Sequence, residues 1–94
     1  MEICRRGYAL TGLVQGVGLR YLARHAAAAQ GLTGWVRNCS DGSVLLELQG
    51  GAQAIERAMD SILAGRWVRV EELRRRELPV DPEERSFRVL DDAW

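Results

Sequence analysis

Lysine is missing altogether: the thirteen basic side chains are all Arg, and thirteen Asp and Glu bring the formal charge to zero. A chain so balanced has no global field to draw it onto nucleic acid or an anionic membrane, and neither is expected as a partner. Arg in place of Lys, on an Ala-, Leu- and Gly-rich background, is a composition bias and carries no functional weight. Cysteine is scarce. Cys4 and Cys39 alone are too few for a disulfide framework and lack the CxxC spacing of a zinc site, so both read as free thiols and no metal is expected. Two Pro leave no room for a Pro-rich linker. No run approaches the roughly 18 apolar residues of a membrane span, and Met1-Glu2-Ile3-Cys4-Arg5-Arg6 is not the apolar start of a signal peptide. The expected address is the cytoplasm.

What is present is enough for one core. With 94 residues, 47% apolar and 28% charged, the chain is expected to form a single domain over 1–94. Residues 7–14 carry apolar side chains at both parities, which suits a central strand. From Tyr21 to Gln30 Leu, Arg and Ala dominate, and Gly31 stands where a left-handed cap belongs, so a helix is expected there. Residues 33–38 and 43–49 flank Cys39-Ser40-Asp41-Gly42, and Asp-Gly between two β-rich runs marks a hairpin. Ala52, Ile55, Ala58, Met59, Ile62 and Leu63 recur at three and four, the stripe of a second helix ending near Gly65. A fourth strand over 67–73 runs into Arg74-Arg75-Arg76 at an exposed sheet edge, and Phe87 and Val89 share a face of a short fifth strand. The order βαββαβ plus a final strand implies an α+β, ferredoxin-like split βαβ sandwich, with two helices on one face of an antiparallel sheet.

The informative segment is Gly12-Leu13-Val14-Gln15-Gly16-Val17-Gly18-Leu19-Arg20, between the first strand and the first helix. Gly16 and Gly18 let the backbone curl with positive φ and aim successive amides inward. The helix start adds unpaired donors and its positive dipole end. Arg20 supplies a planar fork suited to two phosphate oxygens, so a phosphoryl ligand is indicated. The plainer alternative is a tight strand-to-helix turn with a solvated Arg20. Neither known phosphate motif fits: a dinucleotide fingerprint needs Gly where Tyr21 stands, and no Gly-Lys-Ser/Thr occurs.

The loop also lacks Ser, Thr, Cys, Asp and His between Gly12 and Arg20, and Val14 stands where a cysteine-dependent phosphatase would keep its nucleophile. No phosphoenzyme is expected. Water must attack, with no acid for the leaving group and no carboxylate pair for Mg²⁺, so the leaving group must depart unprotonated. A carboxylate, whose acid has a pKa of about 4 to 5, does so. The chemistry points to an acyl phosphate.

This segment and the run Gly31-Leu32-Thr33-Gly34-Trp35-Val36-Arg37-Asn38-Cys39-Ser40-Asp41-Gly42-Ser43-Val44 resemble the two signatures of the acylphosphatase family, and the match covers essentially the whole chain. The resemblance implies hydrolysis of the carboxyl–phosphate bond by direct attack of water, with no metal and no organic cofactor, on a small-molecule acyl phosphate. It implies that Arg20, with the amides of Gln15, Gly16, Val17, Gly18 and Leu19, binds the phosphoryl oxygens and that Asn38 orients the water. It also implies the ferredoxin-like sandwich, and the expected state is a monomer. On its own residues Asn38 reads instead as a strand end closing the Asp-Gly turn. Leu19 replaces the family's usual Phe, Leu13 a frequent Arg, and Gly65-Arg66 and Arg69 depart from its pattern before the fourth strand.

Other features carry less. His25, beside the apolar stripe of the first helix, reads as a partly buried structural residue. Trp35, Trp67 and Trp94 read as core or edge packing, with Trp35 a candidate to shape the acyl side of the pocket. Arg74-Arg75-Arg76, surrounded by acids, reads as a solvated edge. Two rival functions stand beside hydrolysis: a non-catalytic phosphate or anion-sensing regulatory domain, and an RRM-like RNA-binding module. The second is weakened by the absence of aromatics in 43–49.

Overall fold

The computed structural model describes residues 2–90, so Trp94 lies outside the described residues. Along the chain run β1 (Ile3–Leu13), α1 (Leu19–Gln30), β2 (Thr33–Asn38), β3 (Val44–Gly51), α2 (Ala52–Leu63), β4 (Arg69–Leu78) and β5 (Phe87–Val89). The strands form one sheet in the order β4-β1-β3-β2-β5. The expected βαββαβ sandwich is present, with β1 an interior strand between β4 and β3. The four long strands pair antiparallel, as expected. β5 adds in parallel to β2 and makes the sheet mixed.

The reason for that parallel pairing lies in the connection. β4 ends opposite Arg5, near the start of β1, and residues 79–86 then cross to the start of β2. The crossing segment is held by Gln49, whose Nε2 donates to the Asp81 carbonyl at 2.9 Å and whose Oε1 accepts from the Asp81 amide at 2.8 Å. Arg5 donates to Glu84 at 2.7 Å and to Glu47 at 2.8 Å, a nearly buried guanidinium neutralised from two sides. A strand that begins at that end of β2 can only run in its direction. The same pairs explain why β1 starts at Ile3, four residues before its expected start at Gly7, despite the charge of Arg5.

In the sheet, successive side chains take opposite faces. Leu10, Val36, Val44, Leu46 and Leu48 all point toward the helices and are fully buried. They meet Leu19, Ala23 and Ala27 of α1 and Ile55, Ala58 and Ile62 of α2. The small alanines of α1 let the helices approach each other and the sheet closely. α1 starts two residues before its expected start because Leu19, at 2% exposure, is already a core residue. It ends as expected, with Gly31 left-handed and the Leu32 amide donating to the Ala27 carbonyl at 2.9 Å. Gly34, in β2, has φ 138°, and a Cβ there would overlap the Glu47 carbonyl oxygen of β3.

Three expectations are corrected. His25 is exposed: it stands four residues after Tyr21 on the outward face of α1, and their rings meet tilted at 44° with centroids 4.1 Å apart. Trp67 is 61% exposed in the turn before β4, covered on one side by the Arg66 guanidinium at 4.9 Å. β4 runs on through the Arg run to Leu78, since on an edge strand both faces of a charged residue can reach water.

Candidate functional site

The site forms where β1 hands over to α1. Val14 is 1% exposed and Leu19 2% exposed, and these two buried residues clamp the ends of the turn between them. Within it Gly16 (φ 73°) and Gly18 (φ 80°) take left-handed conformations with open space where a Cβ would stand. Such angles strain any residue with a side chain. Gly18 is also the N-cap of α1, and no side chain caps the helix. The first intrahelical bond runs from the Leu22 amide to the Gly18 carbonyl at 3.0 Å. The amides of Leu19 and Tyr21 therefore precede the ladder and point to the positive end of the helix dipole, where an anion is favoured.

A pocket of about 220 Å³ opens at this turn, lined by Gln15, Gly16, Gly18, Leu19, Arg20 and Asn38 together with Val14 and Tyr21. The two residues singled out for catalysis, 18 positions apart in sequence, thus share one pocket wall. Val17 alone of the loop residues is not on that wall, and its side chain packs against the hydrophobic core. Arg20 is half-buried. Asn38 ends β2 on the helix-facing side of the sheet and is 8% exposed. Its Oδ1 is buried with no hydrogen-bond partner among the described residues. A buried amide oxygen without a donor costs on the order of 1–3 kcal/mol, so the position calls for a donor from beyond the described residues.

The side chain of Gln15 was not foreseen. Its Nε2 donates to the Cys39 carbonyl at 2.7 Å and to the Ser43 carbonyl at 2.8 Å, tying the glycine turn to the hairpin that follows Asn38. A polar residue in a glycine loop was the available signal, but its partners lie 24 and 28 residues away. The hairpin is itself held by Asp41, which accepts from the Ser43 hydroxyl at 2.6 Å and the Ser43 amide at 2.9 Å. These bonds, the hydroxyl's first, hold its carboxyl below the usual aspartate range.

Trp35 does not reach the pocket. It is three residues before Asn38 and so points to the opposite face of the sheet. There it lines a hollow of about 260 Å³ with Gly7, Ala9, Leu45, Arg74 and Arg76, and the Arg37 guanidinium lies 5.6 Å from its ring. Cys4 and Cys39 are both unpaired and half-buried. They lie near opposite ends of the sheet, Cys4 opposite Gly50 and Cys39 bonded to Ser43. Among the described residues no three His, Cys, Asp or Glu side chains cluster as metal ligands do.

The family profile and the curated relatives agree on one family. The acylphosphatase family profile matches residues 6–89. An acylphosphatase of Bifidobacterium longum is 42% identical over 90 residues, 94% of this chain and 93% of that protein. Among solved structures, the acylphosphatase of Bacillus subtilis superposes with a TM-score of 0.85 at 26% identity, covering 93% of this chain and 98% of that one. An acylphosphatase from Coxiella burnetii superposes with a TM-score of 0.84 at 30% identity, over 94% of this chain and 93% of its own.

Proposed function

The chain belongs to the acylphosphatase family and is a hydrolase of acyl phosphates, and from that premise we propose how its residues divide the reaction. Arg20 and the amides of Gln15, Gly16, Val17, Gly18 and Leu19 hold the phosphoryl oxygens at the helix N-terminus. Asn38 holds the attacking water through Oδ1, which accepts one of its O–H groups and aims the water oxygen at phosphorus. The new P–O bond forms as the bond to the carboxyl oxygen breaks, and the carboxylate leaves with the electron pair, unprotonated. A neutral carboxamide takes no proton, so the water's proton passes to a phosphoryl oxygen, and inorganic phosphate is released.

The observation that carries this assignment is the buried, unpartnered Oδ1 of Asn38 on the same pocket wall as Arg20. The test is phosphate release from benzoyl phosphate and from phenyl phosphate in buffer containing EDTA. Turnover of the first alone, in chelator, supports the assignment. Equal rates would indicate a general phosphatase, and no release from either would indicate an anion-sensing domain. Each copy is proposed to work alone, since Arg20, Asn38 and the glycine turn meet within one chain. The cytoplasm is the proposed location, in keeping with two unpaired thiols and with no described helix long and apolar enough to cross a membrane.

A further inference from the structure

β4 is an edge strand: it pairs with β1 on one side, and on the other its backbone groups have no strand neighbour among the described residues. From Glu71 to Glu77 every side chain on it is exposed. Exposed edges of this length are ordinarily protected by charge, since like charges brought face to face repel a second edge. The charges here have a different order. Glu71 and Glu72 precede Leu73, and Arg74 and Arg75 follow it.

A second copy related by a two-fold axis through Leu73 would run antiparallel to the first. Residues whose numbers add to 146 would then stand opposite each other on the same face. Glu72 then faces Arg74 of the second copy on the open side of the sheet. Leu73, 39% exposed, meets its own counterpart at the centre. The two symmetry-related Glu72–Arg74 pairs are of opposite sign, and opposite charges directly across a strand pair stabilise it. Neighbouring registers lack this property. Moving the axis to residue 72 sets Glu72 against Glu72. Moving it to residue 74 sets Arg74 against Arg74. A slip of one residue turns each strand's faces over. The shift in pairing that sets Thr11 opposite Glu72 but Gly12 opposite Val70 bulges β4 at Glu71, which ends the regular ladder there and keeps the contact short.

We propose that the edge of β4 is a self-recognition surface through which two copies of this chain join their sheets antiparallel about Leu73. The contact is small and exposed, so the dimer is weak, salt-sensitive and in rapid exchange. It lies outside the catalytic pocket, so activity per chain does not depend on it.

Sedimentation velocity tests this at low ionic strength, from about 10 μM to about 1 mM protein, the range over which a weak complex assembles. The unaltered protein is expected to move from monomer toward dimer, and added salt to reverse it. Glu72→Arg and Arg74→Glu should each weaken self-association at least ten-fold, since each sets like charges across the axis. An equimolar mixture of the two variants should dimerise, because every open-face pair is then again opposite in sign. Acyl phosphate hydrolysis at the unaltered rate shows that both variants are folded. Three results would each overturn the proposal: a protein still monomeric at the highest concentration, a dimer that survives Glu72→Arg, or variants that stay monomeric when mixed.

Discussion

Gln15 and Cys39 are joined by a 2.7 Å hydrogen bond, from the side-chain amide of a residue in the glycine turn to the main-chain carbonyl next to Asn38. The same nitrogen also holds the Ser43 carbonyl. One side chain therefore sets the gap between the turn that precedes α1 and the strand end that presents Asn38.

Gln15→Glu turns that donor into an acceptor facing two carbonyl oxygens, and Gln15→Met keeps the length without the bonds. Each lost bond is worth about 0.5–1.5 kcal/mol, and the glutamate adds repulsion. Urea denaturation should show Gln15→Glu less stable than Gln15→Met. Both should lower kcat/KM on benzoyl phosphate by about ten-fold, as a misplaced but chemically intact site does. Unchanged kinetics in Gln15→Met would mean that the gap is set by the backbone alone.

Arg20→Ala and Asn38→Ala should each cut turnover on the order of 10² or more, with the circular dichroism spectrum preserved. Arg20→Lys should also fail, because an ammonium cannot reproduce a planar fork of donors. An Asn38→Ala enzyme within a few-fold of the unaltered one would end the water-holding assignment.

Much of this site is legible in the sequence. The paired glycines, the Arg at the head of α1, the Asp-Gly hairpin and the Gly31 cap are local signals, each complete within a few residues. What stayed hidden is long-range. Arg5 reads as a charge at the chain start until Glu84, 79 residues away, is placed beside it. The parallel direction of β5 depends on where residues 79–86 cross, and hence on Gln49. Trp35 was readable in principle, since its parity opposes that of Asn38. His25 needed its contact with the exposed Tyr21 to show which way α1 faces.

Gly34→Ala should be among the most damaging single-methyl changes. The added carbon overlaps the Glu47 carbonyl oxygen, and φ 138° disfavours any side chain. Backbone must move in the sheet interior, so a loss of about 4 kcal/mol is expected. A thermal melt should fall by roughly 15 °C or more for a domain of this size. A melt within a few degrees of the unaltered protein would show that β2 and β3 separate cheaply.

The hairpin after Asn38 should loosen in acid. The Asp41 carboxylate is held below its ordinary range by the Ser43 hydroxyl first and the Ser43 amide second. A depressed group adds stability that is present above its unfolded pKa, about 4, and lost as pH falls through the lower folded value. Exchange of the Ser43 amide hydrogen, corrected for its intrinsic pH dependence, should therefore accelerate below about pH 4. In Asp41→Asn that acceleration should vanish, and its persistence would place the titrating group elsewhere.

The clamping of the glycine turn between Val14 and Leu19, each seated in the core, bears on how fast an anion can be captured. A segment fixed at both ends is already shaped before anything arrives, so little configurational freedom is surrendered at the encounter. On the proposed binding mode, capture needs no slow rearrangement of the receiving backbone, and the association rate is left to diffusion and the alignment of the incoming phosphoryl group.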